Sequence, residues 1–355
     1  MSPSSPPRVV VVDLQSTAPR WALPAERADA LIAAAPPGWE VRVMRSPTES
    51  EGDGGAAPSA ELVEALREAE VYFGYGLPAA VLEAAPRLRW AQSAAAGVRS
   101  LLGPALAARP ELVLTNAAGI MAVPIAEHVL AGVLHFLRGL DVAAAQQRAA
   151  VWDRAPWAGP APGTADAAPR EVGECRVLVV GAGGIGGAVA ERLTALGATC
   201  VGVRRRLAAG VPPGFAHVVG PEGLDRELPV ADVVVLAAPF TDTTARLLDG
   251  RRLALLPRGA IVVNVGRGAL LDEDALVAAL AAGRLRGAVL DVAGAEPLPP
   301  ASPLWGRPDV LLTPHVSATS PRRFWDRLLA LFLDNWDRWR RDAPLRNVVD
   351  PAAGY

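Results

Sequence analysis

A short apolar run, Arg176-Val-Leu-Val-Val180, stops at Gly181-Ala-Gly183-Gly184-Ile185-Gly186 and resumes as a helix-forming stretch over 188–196. No other feature constrains the fold as much. A buried strand, a glycine turn and a helix in immediate succession carry the helix N-terminus to the carboxyl end of the strand. Its unpaired N–H groups and the positive end of its dipole then face outward. Gly181 permits the tight turn, the missing side chain at Gly183 lets a pyrophosphate approach the backbone, and Gly186 allows the helix to pack closely on the strand. The spacing by itself is weak evidence. Between a strand and a helix it points to a dinucleotide site.

The same alternation runs through the chain in two series. Strand-like runs fall at 9–14, 40–45, 70–75, 89–93 and 112–116, with helical stretches such as 25–35 and 59–69 between them. The second series has strands at 175–181, 199–204, 232–238, 260–265, 287–292 and 310–313. Alternating strand and helix predicts doubly wound parallel sheets in an α/β fold. A long helix is expected over 123–140, and an amphipathic one over 321–341, where Phe324, Leu328, Leu331, Phe332 and Trp336 recur at helical spacing. Segments 46–59 and 155–170, rich in Gly, Pro and Ala, are read as exposed connections.

Composition removes several classes of function. A chain of 355 residues can bury two cores, and 51% hydrophobic with 20% charged residues describes a globular protein. The net charge of -2 supports neither a nucleic-acid partner nor an acidic lipid surface. All the Lys+Arg positions are arginine, so Schiff-base chemistry, pyridoxal phosphate attachment and a P-loop lysine are excluded. Cys175 and Cys200 are too few for a disulfide framework, and His128, His135, His217 and His315 show no metal-ligand spacing, so no metal is expected. The apolar run 129–137 is interrupted by His135 and too short for a bilayer span, and the valines at 9–12 are better read as a strand than a leader. A cytoplasmic protein without membrane partners is the expectation.

Charged residues collect where the strands of the second series end. Val203 is followed by Arg204-Arg205-Arg206, 18 residues beyond Gly186 (204 − 186). An acid at this point accepts hydrogen bonds from a ribose, whereas an arginine cannot accept them but can clamp a 2′-phosphate. A solvated basic loop is the alternative. Strand 260–265 leads into Gly266-Arg267-Gly268, strand 287–292 carries Asp291 and leads to Glu296, and strand 310–313 leads to His315. Singly, each has a plain explanation as a surface ion pair or a loop residue. Together, on the rim beside a dinucleotide motif, they form a candidate catalytic set.

These segments resemble the D-isomer-specific 2-hydroxyacid dehydrogenases, glyoxylate and hydroxypyruvate reductases among them. The likeness covers nearly the whole chain: Ala95-Ala-Gly-Val98, Asn116-Ala-Ala-Gly-Ile120, Pro124-Ile-Ala-Glu-His128, the glycine loop, the Arg267, Glu296 and His315 segments, and Leu345-Arg-Asn-Val-Val-Asp350. The resemblance implies a Rossmann cofactor domain, 116–319, inserted in a flavodoxin-like substrate domain made of 1–115 and 320–355, with the active site in the cleft. It implies hydride transfer between a nicotinamide cofactor and a 2-oxo or D-2-hydroxy acid, and a homodimer.

By the same resemblance His315 donates a proton to the substrate carbonyl oxygen, or removes it in reverse. Glu296 fixes its tautomer. Arg267 holds the substrate carboxylate, together with the N–H groups of Ala96, Gly97 and Val98. Cofactor contacts fall on Gly181, Gly183, Gly184, Ile185, Gly186, Arg204, Arg205, Pro239, Thr244, Val265 and Asp291. Asp291 would meet the nicotinamide carboxamide; a strand-end cap is the other reading of it. His128 is expected to pack at an interface. Two departures from the family pattern stand out. Arg204 replaces the usual acid, which implies NADP(H) preferred with NAD(H) still accepted, and Arg99 stands where many members carry an acid or a neutral residue. A formate- or phosphite-type dehydrogenase, or a catalytically silent nucleotide sensor, would share this fold; the intact Arg267, Glu296 and His315 set argues against both.

Overall fold

The computed structural model describes residues 6–46, 58–158 and 169–351. Segments 46–59 and 155–170 therefore lie largely outside the described residues, as does the Arg99 side chain. The chain divides into two compact units, Met1–Ile120 with Ser320–Tyr355, and Met121–Thr319.

The first unit holds five parallel strands, β1 (Arg8–Asp13), β2 (Trp39–Val43), β3 (Ala69–Gly74), β4 (Trp90–Ser93) and β5 (Val113–Thr115). Their order is β2-β1-β3-β4-β5, the flavodoxin-like order. Val9, Val10, Val11 and Val12 are all buried, as a parallel strand covered on both faces requires. Ser59 caps the helix Ala60–Leu66 by accepting from the Leu62 N–H at 3.1 Å. The closing helix, Phe324–Arg340, belongs to this unit. Its Phe332 stacks on Phe73 with ring centroids 4.3 Å apart, and the buried Asn335 donates to Gln92 Oε1 on β4 at 3.1 Å. One apolar face and one satisfied polar contact thus fix the register of that helix.

The second unit holds seven parallel strands: β6 (Arg176–Val180), β7 (Thr199–Val203), β8 (His217–Val219), β9 (Val233–Leu236), β10 (Ala260–Asn264), β11 (Leu285–Leu290) and β12 (Val310–Leu312). Their order is β12-β11-β10-β9-β6-β7-β8. Sheet growth reverses between β6 and β9, which makes the carboxyl end of β6 a topological switch point where open α/β sheets bind ligands. Strand β8 has no counterpart in the sequence expectation. Its three residues are half-buried at the sheet edge and pair with β7 alone, too short and too mixed to stand out as a run.

The helix expected over 123–140 is present as Ala122–Leu137, and a second helix that was not expected follows it. Ala122–Leu137 ends before Gly139, which adopts φ +66°, and Leu140–Ala149 leaves at a bend of 68°. Gly139 accepts a left-handed conformation that other residues rarely adopt. Ile125, Ala126, Val129, Val133 and Phe136 of the first helix are buried in the core of this unit. A Cβ at Gly132 would stand 2.7 Å from Val289 Cγ1, so glycine lets the helix lie directly on β11. The apolar stripe is therefore consumed inside its own unit. Among the described residues no single helix is long and apolar enough to cross a membrane.

Candidate active site

At the switch point, the turn after β6 has the geometry its glycines suggested. Gly181 has φ +104°, and a Cβ there would come within 2.6 Å of the Ala237 and Ala238 backbone. A Cβ at Gly186 would press on Val179 Cγ1 at 2.9 Å and collide with the Gly181 carbonyl. At Gly183 it would meet nothing within 4 Å, so this position opens outward. The helix Gly184–Ala195, which includes Ile185, starts there without a side-chain cap. Its first N–H groups are the donors an anion would satisfy.

Arg204 follows β7 and is half-buried. Its Nη2 donates to the Gly210 carbonyl at 2.5 Å, while its Nε is buried without a hydrogen-bond partner. Arg205 is exposed beside it. Thr244 donates its hydroxyl to the Pro239 carbonyl at 2.9 Å and accepts from the Thr241 N–H at 2.7 Å, closing the loop after β9. Val265 is buried, its N–H donating to the Leu236 carbonyl at 3.1 Å.

The three rim residues are held differently. Arg267 is exposed, and its Nη1 donates to the Gly266 carbonyl at 2.7 Å. Its turn is pinned by the fully buried Asn264, which donates through Nδ2 to the Arg267 carbonyl at 2.9 Å and accepts the Gly266 N–H at 3.1 Å. Gly268 lies so close to the Ala293 backbone that any Cβ would collide with it. Glycine there seats the Arg267 turn on the segment leading to Glu296. Glu296 Oε1 accepts the Ala293 N–H at 3.1 Å, and its Oε2 lies 2.7 Å from His315 Nδ1. A carboxylate has no proton to give, so Nδ1 carries the hydrogen and Nε2 is the imidazole atom left for proton exchange with a ligand.

Asp291, next after β11, is 1% exposed and takes three donors. Oδ1 accepts from Thr313 Oγ1 at 2.7 Å and Val316 N at 2.8 Å, and Oδ2 accepts from Ser317 N at 3.0 Å. His128 stands 3.2 Å from the same Thr313 hydroxyl through its Nε2. The residue expected at an interface is thus hydrogen-bonded inside the second unit. In the first unit, Ala96 and Gly97 are exposed beyond β4, Val98 is buried, and the Ala96 carbonyl accepts from Asn116 Nδ2 at 3.0 Å. Asn264, Thr313 and Gly268 were not among the expected site-builders. Gly268, flanking Arg267 in a strand-end loop, carried the one available signal.

A doubly wound sheet with a glycine turn at its switch point, and a Glu–His pair on the same unit, define a dinucleotide-dependent dehydrogenase fold. Residues 130–317 match the NAD binding domain of the D-isomer specific 2-hydroxyacid dehydrogenases, and the chain belongs to that family. It is similar to a glyoxylate/hydroxypyruvate reductase A of Salmonella newport, 34% identical over 66% of this chain and 70% of the relative. An uncharacterised Streptomyces coelicolor protein is 41% identical over 67% and 80%. Among solved structures, the D-isomer specific 2-hydroxyacid dehydrogenase of Xanthobacter autotrophicus Py2, in complex with NADPH and MES, matches with TM-score 0.76 and 30% identity, covering 99% of this chain and 100% of the other. The NADPH-dependent glyoxylate/hydroxypyruvate reductase of Sinorhizobium meliloti, with NADP and sulfate, matches with TM-score 0.72 and 28% identity over 98% and 100%.

Proposed function

We propose that this protein reduces small 2-oxo acids to D-2-hydroxy acids with NADP(H), admitting NAD(H) less well. The observation that carries the reading is the His315 Nδ1–Glu296 Oε2 pair at 2.7 Å, on the unit that carries the glycine turn. The nicotinamide cofactor, when bound, supplies or accepts a hydride. Residues 116–319 form its domain in this reading, and 1–115 with 320–355 the substrate domain. The helix N-terminus at Gly184, with the open space at Gly183, would hold the cofactor's pyrophosphate. Arg267 binds the substrate carboxylate with a permanently charged fork. His315 Nε2 gives its proton to the carbonyl oxygen as the carbon is reduced, and takes it back in oxidation. A panel of glyoxylate, hydroxypyruvate and phenyl-substituted 2-oxo acids, with NADPH or NADH consumption followed, tests this directly. Tight cofactor binding with turnover of none of them would replace the reductase by a nucleotide sensor.

The unpartnered Arg204 Nε and the adjacent exposed Arg205 fit a 2′-phosphate, which brings two negative charges. We expect NADPH to be preferred by about tenfold or more in kcat/KM, with the ratio shrinking as salt rises. Arg204→Asp should reverse it. Because Arg204 also ties the Gly210 carbonyl, Arg205→Ser serves as the second variant. A parent that favours NADH, or ratios unchanged in both variants, would remove the arginines as selectors.

We also propose a homodimer. Its contact is not the apolar helix Ala122–Leu137, whose stripe is buried, but the helix Leu140–Ala149 and the residues after it. That helix has no buried residue, and Trp152 is 90% exposed. Asp141 anchors it through a two-pronged pair with Arg286, at 2.7 and 2.8 Å. Sedimentation at micromolar concentration should show a dimer, weakened at least tenfold by Trp152→Ser, since exposed tryptophans are favoured anchors of interfaces. Monomer alone in the parent would refute it.

A further inference from the structure

His315 has φ +53°, a left-handed conformation that costs a non-glycine residue energy and persists only where its surroundings enforce it. The Thr313 carbonyl accepts the His315 N–H at 3.0 Å, and Asp291 supplies most of the remaining contacts on this turn. The Asp291 carbonyl accepts the His315 N–H at 2.8 Å, and the Asp291 carboxylate grips Thr313 on one side and Val316 and Ser317 on the other. Thr313 has a single hydroxyl proton. An acceptor-only carboxylate at 2.7 Å takes it, so His128, 3.2 Å from the same oxygen, must be a donor through Nε2–H. A directed chain results: His128 Nε2–H to Thr313 Oγ1–H to Asp291 Oδ1. It joins the helix Ala122–Leu137 to the turn that presents His315.

We propose that His128 is a positioning residue for His315, holding the strained turn in place through the Thr313 hydroxyl. The role rests on His315 being the acid–base group. A hydroxyl that accepts from an imidazole is a better donor to the carboxylate, and a carboxylate oriented by three donors cannot swing away from the turn. Removing His128 or the Thr313 hydroxyl lets Asp291 relax and the imidazole drift from its productive angle, without removing any group assigned to the substrate or cofactor.

The first test needs no turnover. With imidazole nitrogens labelled in the ligand-free protein, and each of the four histidines assigned by single substitution, neutral His128 should be the Nε2–H tautomer. A neutral Nδ1–H tautomer would overturn the chain. In the second, Thr313→Val and His128→Leu should each lower kcat about tenfold while the dissociation constant for NADPH, read from tryptophan quenching, stays within about twofold. The double variant should be no slower than the worse single, whereas independent contributions would multiply. Thr313→Ser and His128→Gln, which keep the donors, should restore most of kcat. Multiplying losses, or loss of NADPH affinity with kcat intact, would overturn the role. Should His315→Ala itself leave turnover unchanged, the acid–base reading fails, while the tautomer still decides whether the chain exists.

Discussion

His315→Ala lowers kcat for 2-oxo acid reduction by roughly 10²–10⁴, the usual contribution of a positioned general acid. Its KM for the substrate moves far less, because Arg267 and not the imidazole is assigned the carboxylate. Glu296→Gln gives a diagnostic partial loss. An amide at 2.7 Å from Nδ1 can turn either its oxygen or its NH2 toward the ring, so it no longer enforces the Nδ1–H tautomer. Turnover should then fall less than in His315→Ala and the double variant should match His315→Ala alone, since Glu296 acts only through the histidine. Near-parental turnover in His315→Ala would remove the histidine from the chemistry. Arg267→Ala should show the opposite pattern in its binding component, with KM raised along with a fall in kcat.

The sequence made the architecture legible where physics acts locally. Val9–Val12 and Ala260–Val263 are continuous apolar runs because both faces of a parallel strand are covered, and such runs need no knowledge of their partners. Strand β8 escaped because its residues are only half-buried at an edge. The helix expected to run to 140 ends at Leu137; a glycine inside an apolar helical pattern is compatible with either continuation or a stop. The candidate site divides in the same way. Gly181, Gly183, Gly186, Arg267, Glu296 and His315 carry their chemistry in residue type and neighbourhood. Thr313 and His128 are 185 positions apart, and each looks ordinary until the fold brings the hydroxyl to the ring. Asn264 likewise reads as the last residue of a strand, and its work on the Arg267 turn is visible only in its hydrogen bonds.

Asp13→Asn stabilises the protein near pH 7.5 and flattens its stability between pH 4 and 6.5. Asp13 ends β1, is 5% exposed, and receives one hydrogen bond, from the buried Tyr72 hydroxyl to Oδ2 at 3.0 Å; its Oδ1 has no partner. Burial lifts its pKa from 3.8 to about 6, with the Tyr72 hydroxyl pulling it down and Glu61 adding a small push upward. The folded chain therefore holds this proton over a range in which the unfolded chain has lost it. Stability falls as pH rises from the unfolded pKa to the folded one, then levels, and the full displacement amounts to about 3 kcal/mol. Two other groups act with the opposite sign. Burial lowers the His135 pKa, so its contribution rises with pH up to the ordinary histidine value, and acids such as Asp272, held low by Arg246, lose their contribution only in stronger acid. The difference between parent and Asp13→Asn cancels both and leaves Asp13 alone. Urea unfolding at pH 4, 5.5 and 7.5 should show the variant's advantage growing from near zero to about 2–3 kcal/mol, read from the transition that unfolds the unit made of Met1–Ile120 and Ser320–Tyr355. An advantage that is the same at all three pH values would mean that Asp13 keeps an ordinary carboxylate pKa in the folded chain.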